Sequence, residues 1–189
     1  VDAGRYWLNL FNNDILVGNL AIAYKDGATN DFDVDFDGEY INDSQMALTS
    51  YTSGKELAVQ HRATPFSNTD VVPLSFKTDL AGTFTIGFNG SDGVLSSQDI
   101  YLEDLLLGQS IAIKTTPYTF VSEAGNFTNR FRITYINNAL GTNNTIFNSN
   151  QVVVYKDELN NNLVVNSGNV IMSKIKVFDV AECNPRFDL

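Results

Sequence analysis

The segment "RYWLNLF", residues 5–11, indicates the fold class. Tyr6, Leu8 and Leu10 occupy every second position of it. A period of two is typical of a β-strand with one buried face, because successive side chains point to opposite sides of a sheet. The same alternation recurs along the chain, in "GTFTIGF", "SIAIKT", "YTFVSE" and "RFRITYI". The sequence therefore predicts an all-β protein.

Short alternating runs are separated by turn residues, such as "KDG" at 25–27 and "SDG" at 91–93. Glycine supplies the positive φ that a tight reversal requires. Many short strands at this spacing predict an antiparallel β-sandwich, either immunoglobulin-like or jelly-roll. One parity of each strand is expected to be buried: Leu8, Leu10, Leu57, Val59, Phe84, Ile86, Phe120, Phe131 and Ile133.

Composition limits the classes of partner. The 189 residues carry a net charge of −10, with a pI near 4.3, which disfavours binding to nucleic acid or to an anionic membrane surface. No apolar run reaches the roughly 18 residues of a membrane span. The single cysteine, Cys183, has no partner for an internal disulfide. A start at Val1, without Met, suggests a processed product or a fragment.

The polar, asparagine-rich segment "NNALGTNNTIFNSN", residues 137–150, interrupts the alternation. Alternation resumes in "QVVVYKDELNNNLVVNSGNVIMSKIKVFDV", residues 151–180. Short polar linkers commonly separate independently packed units. We therefore expect a main sandwich over residues 1–140, a linker over 141–149 and a second, small β unit over 150–189.

The stretch "TNDFDVDFDGEY", residues 29–40, contains an aspartate at every second position from Asp31 to Asp37. From Asp33 it matches the first six positions of an EF-hand calcium loop. The twelfth position is Ser44, where an EF-hand requires a bidentate glutamate. The EF-hand pattern fails, and a looser calcium site formed by Asp33, Asp35 and Asp37 remains one interpretation.

The alternative interpretation of this stretch is a solvated acidic loop or an edge strand. In the strand, Phe32, Val34 and Phe36 would face inward and the aspartates outward. Charged edges discourage aggregation between sheets. Repulsion between exposed like charges spaced about 7 Å apart costs a fraction of a kcal/mol in water, so the strand is tolerable. Sequence alone leaves both interpretations open.

Other candidate functional residues are few. Trp7 lies on the polar face of its strand, where it either stacks on a sugar ring or packs under a neighbouring loop. His61 is the only histidine, and neither a GxSxG nor an HExxH motif accompanies it. Glu103 and Asp104 are adjacent, so they fall on opposite faces of a strand and form no natural acid–base pair. We expect no enzymatic activity.

The segments "VVVYK", "LVVNSGN" and "MSKIKVFD", with their spacing, closely resemble the start of type C C-terminal sorting domains. These domains occur in type 9 secretion substrates of Bacteroidota. The preceding stretch, including "RYWLNL", "GTFTIGF" and "PYTFVSEAGNFTNRFRITY", looks like the β-sandwich module that often precedes such signals. The resemblance implies export across the outer membrane, with the secretion translocon and its outer-membrane shuttle protein as partners.

The resemblance further implies a secreted or cell-surface location. Members of this class include adhesins, hydrolases and gliding components, so the export route is specified and the activity is not. We expect a non-catalytic adhesin, stalk or spacer module. The alternative is a carbohydrate-binding or accessory module of a secreted hydrolase, with surface polysaccharide as its partner. The sequence upstream of Val1 would discriminate between the two: a catalytic domain favours the accessory module, and tandem β repeats favour an adhesin.

Overall fold

The computed structural model describes residues 2–41, 44–137, 153–157, 162–166, 176–178 and 185–188. The chain divides into two compact units, residues 1–140 and 141–189. The linker expected at 141–149 lies outside the described residues. Among the residues that are described, no helix has the length and apolar character needed to cross a membrane.

Strands dominate the first unit, and its described residues contain a single 3₁₀ helix, Val94–Ser96, and no α-helix. The predicted all-β fold class is therefore confirmed. The strands are β1 Asp2–Asn12, β2 Ile15–Lys25, β3 Gly38–Glu39, β4 Met46–Thr52, β5 Lys55–Ala63, β6 Val71–Thr78, β7 Gly82–Gly93, β8 Tyr101–Asp104, β9 Gln109–Ala112, β10 Tyr118–Ser122 and β11 Gly125–Thr134.

Hydrogen bonds join these strands into one 11-stranded sheet, with the order β10-β7-β1-β2-β5-β4-β6-β11-β8-β9 and β3 added on β5. Every pairing is antiparallel except β2 with β5, which is parallel. This parallel pair joins one half of the sheet, β10-β7-β1-β2, to the other half, β5-β4-β6-β11-β8-β9. The predicted sandwich of two separate sheets is therefore not confirmed, and the single mixed sheet is nearly barrel-shaped.

In the second unit the described residues form two pairs of strands. Strands β12 Val153–Asp157 and β13 Asn162–Asn166 pair antiparallel, as do β14 Lys176–Phe178 and β15 Pro185–Asp188.

The sheet of the first unit encloses one aromatic-rich core. Phe76 of β6 contacts Phe84 of β7 and Phe120 of β10 edge-on, with ring centroids 5.0 and 5.1 Å apart. These contacts connect strands that are not neighbours in the sheet, so both halves share one interior. Eight of the residues predicted to be buried are buried: Leu8, Leu10, Leu57, Phe84, Ile86, Phe120, Phe131 and Ile133.

The prediction was wrong at Val59, which is 37% exposed, whereas Gln60 and Arg62 are buried. The pairing of β3 with β5 explains the difference. Gly38 faces Val59 and the next residue, Glu39, faces Leu57, so β5 contains an extra residue at this point. Such a bulge reverses the parity of a strand, and every residue after it changes face.

A buried ionic cluster joins β10, one end of the sheet, to β8 and β11, which lie near the other end. Asp104 of β8, whose side chain is fully buried, accepts hydrogen bonds from Arg130 Nη2 of β11 at 3.0 Å and from Tyr118 Oη of β10 at 2.9 Å. Arg130 Nη1 also donates to the carbonyl of Val121 on β10. Burial and the neighbouring carboxylate raise the pKa of Tyr118 to about 12, so its hydroxyl stays protonated as a donor. We call Asp104, Arg130 and Tyr118 the closing cluster.

The closing cluster yields a stability prediction. Arg130→Met keeps the aliphatic stem but leaves the Asp104 carboxylate buried without its cation, which costs about 3–5 kcal/mol. Arg5→Met is the matched control, because it breaks an exposed ion pair with Asp92 worth at most about 1 kcal/mol. Urea unfolding followed by circular dichroism measures both. Equal losses in the two variants would contradict the proposed role of the cluster.

A second polar network lies beside β6. Arg62 donates two hydrogen bonds to Asp70, from Nε and Nη2, both at 2.5 Å, and Tyr24 Oη donates to the same carboxylate at 2.7 Å. The Tyr24 and Tyr135 hydroxyl oxygens are 2.8 Å apart, and Tyr6 extends the row. Burial alone would raise the pKa of Asp70, but hydrogen bonds from Arg62 and Tyr24 outweigh burial and lower it.

This lowered pKa predicts a pH dependence. Because the folded pKa lies below the unfolded value of about 3.9, the stability contributed by Asp70 is complete above pH ~4 and is lost as the pH falls through the folded pKa. Asp70→Asn should therefore lower the free energy of unfolding at pH 7, by about 3 kcal/mol. In urea titrations, the difference in the free energy of unfolding between the wild type and this variant should narrow towards pH 2.5. A difference that does not change with pH would show that the protonation of Asp70 is not coupled to unfolding.

Candidate functional site

The acidic segment, residues 29–37, connects β2 to β3 and forms turns rather than a strand. The edge-strand interpretation is therefore wrong, and only Gly38–Glu39 pair with β5. Aspartate disfavours strands because its carboxylate competes for nearby backbone N–H groups. The hydrogen bonds of the segment follow this rule.

Asp33 and Asp37 hold the segment in a closed turn. The Asp33 carboxylate accepts from the backbone N–H of Thr29 at 2.6 Å and from the Thr29 hydroxyl at 3.1 Å. The backbone N–H of Asp37 donates to the Asp33 carbonyl at 2.8 Å, and the Asp37 carboxylate accepts from the Asp33 N–H at 2.9 Å. Each of these carboxylates therefore has a structural partner within the turn.

Asp37 also fixes the turn to β5. Its side chain is fully buried, and Oδ1 accepts a 2.6 Å hydrogen bond from the backbone N–H of His61. His61 Nδ1 lies 3.8 Å from the same oxygen, and the His61 ring lies 6.1 Å from that of Phe36. The only histidine of the chain is thus part of the contact that fixes the acidic turn.

The three predicted calcium ligands have unlike surroundings. Asp35 is exposed, Asp33 is half-buried and the Asp37 side chain is buried. Across the described residues, no group of three or more histidine, cysteine, aspartate or glutamate side chains is placed to hold a metal ion. The calcium site of Asp33, Asp35 and Asp37 stays a prediction.

Melting curves test the calcium prediction. Weak binding through Asp33, Asp35 and Asp37 should stabilise the fold by about 1.4 kcal/mol when calcium reaches tenfold above its dissociation constant. The melting temperature in several millimolar calcium should then exceed that in EDTA, and Asp35→Asn should remove the difference. An identical melting temperature in calcium and in EDTA would contradict a structural calcium site.

Glu103 and Asp104 lie on opposite faces of β8, as predicted, and each pairs with its own arginine. Glu103 accepts from Arg132 Nε at 2.5 Å and from the Thr134 hydroxyl at 3.2 Å. A shallow cavity of about 230 Å³ lies beside them and is also lined by Ser110 and Gln109. Neither ion pair could be predicted from the sequence, because each arginine is more than twenty residues away from its carboxylate along the chain.

An exposed apolar tip follows β8. Leu105, Leu106 and Leu107 are 47%, 68% and 56% exposed in the turn between β8 and β9. The Asp104 carboxylate accepts from the backbone N–H groups of Leu106 and Leu107 at 3.0 and 3.2 Å, so the closing cluster also fixes this turn. The run "LLL" is visible in the sequence, but alternation does not indicate that all three side chains are exposed.

Trp7 lies on the outward face of β1 and is partly exposed. The Arg5 guanidinium is 5.4 Å from its ring centroid, and this arginine also pairs with Asp92 through Nη2 at 2.6 Å. The ring is therefore held in position on the surface of the sheet, outside the core.

These features describe an acidic, all-β module with a closed acidic turn and an aromatic outer face. A family model described as "Domain of unknown function (DUF8693)" matches residues 1–135, which include β1 to β11. The chain belongs to this family. No curated protein matches the chain, and no solved structure matches it.

Proposed function

We propose that the chain is a non-catalytic region of a secreted, cell-surface-associated protein, exported by type 9 secretion through its C-terminal unit. One observation carries the proposal: the boundary between the two compact units falls between residues 140 and 141, about ten residues before the segments that resemble a sorting domain. A sorting signal must present its own surface to the translocon, and a separately packed unit fits this requirement.

The second unit supports the proposal through its strands. The segment "VVVYK" overlaps β12, "LVVN" lies on β13 and "KVF" forms β14. The pair β12–β13 places Val154 opposite Val165 and Tyr155 opposite Val164. Thus three of the motifs behind the resemblance contribute to strands, as a β sorting unit would require.

The side chains of the first unit favour a binding or spacer role over catalysis. Glu103, Asp104 and Asp70 each form a short hydrogen-bonded ion pair with an arginine. The His61 backbone and the Asp37 carboxylate are joined in the acidic turn. These groups are placed to stabilise the fold, which suits an adhesin, stalk or spacer.

Carbohydrate binding is the second candidate function, either alone or as the accessory module of a hydrolase. Trp7 favours it, because an outward-facing indole ring on a sheet offers a plane for stacking and a polar edge for hydrogen bonding. In this case the partner would be a surface polysaccharide.

A fusion tests the export proposal. A reporter followed by the native chain, with its complete native C-terminus, is expressed in a bacterium that has type 9 secretion. We expect the reporter in the medium or on the cell surface, and we expect deletion from residue 150 onward to retain it inside the cell.

The matched control is the same fusion in a strain that lacks the translocon. Secretion that persists in that strain, or after the deletion, would contradict export through the C-terminal unit.

A further inference from the structure

Two aromatic rings lie on the outer face of β1. Trp7 and Phe11 are four residues apart on one strand and are both partly exposed. Side chains four apart point to the same face, and a rise of about 3.3 Å per residue places them about 13 Å apart. The ring positions therefore match an elongated ligand better than a compact one.

Polar, uncharged side chains occupy the space between and beside the rings. Asn9 and Asn19 face each other across β1 and β2, and Asn19 Nδ2 donates to Asn9 Oδ1 at 2.7 Å. Thr85 of β7 and Thr119 of β10 are also opposite each other, with their hydroxyl oxygens 2.9 Å apart. These pairs fix the amides and hydroxyls in place while leaving further donor and acceptor capacity on each group.

Small residues lie beside Trp7 and under the Phe11 ring, whereas Leu16 of β2 is opposite Phe11 and exposed. Trp7 has Ala21 of β2 on one side and Gly90 of β7 on the other. A Cβ on Gly87 would lie 3.4 Å from Phe11 Cε2, so the Phe11 ring lies close over the backbone of β7. Ala21, Gly87 and Gly90 therefore place no large side chain between the two rings and the solvent. The platform consists of Trp7, Asn9, Phe11, Asn19, Thr85 and Thr119.

We propose that this platform binds a neutral glycan chain, with Trp7 and Phe11 each stacking on the face of a sugar ring. The asparagine and threonine groups between them match sugar hydroxyls as donors and acceptors. Charge favours the same ligand: the six platform side chains are uncharged, the neighbouring Arg5 is paired with Asp92, and the whole chain carries −10. Polyanions such as nucleic acids or acidic glycans would be repelled.

The inference rests on the second candidate function, to which it assigns a site and a ligand class, and it is independent of export. The chain contains one tryptophan, Trp7, so its fluorescence reports on the platform alone. The purified full chain is titrated with neutral hexasaccharides of four kinds, namely β-1,4-glucan, β-1,4-mannan, β-1,4-xylan and α-1,4-glucan. We expect at least one to change the emission saturably, with a dissociation constant between about 10 μM and 1 mM.

Variants locate the binding. Phe11→Ala should weaken the fluorescence-detected affinity at least about tenfold, and Trp7→Ala should do the same in isothermal titration calorimetry. Leu106→Ala is the control, because it removes an exposed apolar side chain on the β8–β9 turn, outside the platform, and should leave the affinity unchanged. Circular dichroism verifies that each variant is folded.

Two results would overturn the inference. One is the absence of a saturable response to all four hexasaccharides at up to about 10 mM, a range that covers weak glycan affinities. The other is binding that persists unchanged in both Phe11→Ala and Trp7→Ala, which would place the ligand elsewhere on the chain. Either result leaves the export fusion unaffected, so the two proposals can fail separately.

Discussion

The buried ion pair between Arg130 and Asp104 is the interaction on which the closure of the sheet depends. Strands β10 and β9 are the two ends of the sheet, and no backbone hydrogen bond between strands joins them. Arg130 contacts Asp104 on β8 and the Val121 carbonyl on β10, and its guanidinium lies 4.6 Å from the Phe120 ring centroid. One side chain of β11 therefore joins β10, at one end of the sheet, to β8, which lies next to the other end.

The outer face with the two aromatic rings lies on the half of the sheet that ends in β10. Strands β10, β7, β1 and β2 are successive neighbours there, Trp7 and Phe11 lie on their outer face, and Tyr118 of β10 donates to Asp104. The same Asp104 carboxylate fixes the turn that exposes the three leucines. Removing a carboxylate and an arginine from water is costly, and only a well-aligned ion pair with further hydrogen bonds offsets this cost. The positions of Arg130, Tyr118 and the β8–β9 turn around Asp104 are therefore constrained.

The strands and most of the core could be predicted from the sequence, because burial alternates with a period of two. Buried positions were predicted wrongly where this alternation is interrupted. A bulge in β5 exposes Val59, and an irregularity in β11 between Phe127 and Phe131 buries Arg130 next to Phe131. A bulge leaves little trace in a single sequence. The ion pairs were also missed, since each joins side chains that are distant along the chain. For the acidic segment, the turn was only one of two interpretations, because the hydrogen bond between Asp37 and the His61 N–H joins residues 24 apart in the chain.

Hydrogen exchange of the backbone amides tests closure by the buried cluster most directly. An end strand closed onto β8 and β11 should open only with the whole sheet, so the β10 amides that pair with β7 should exchange with about the same free energy as those of β1. Tyr118→Phe should lower the protection of β10 more than that of β2. Wild-type β10 amides that exchange by local opening, far more easily than those of β1, would contradict closure of the sheet by the buried cluster.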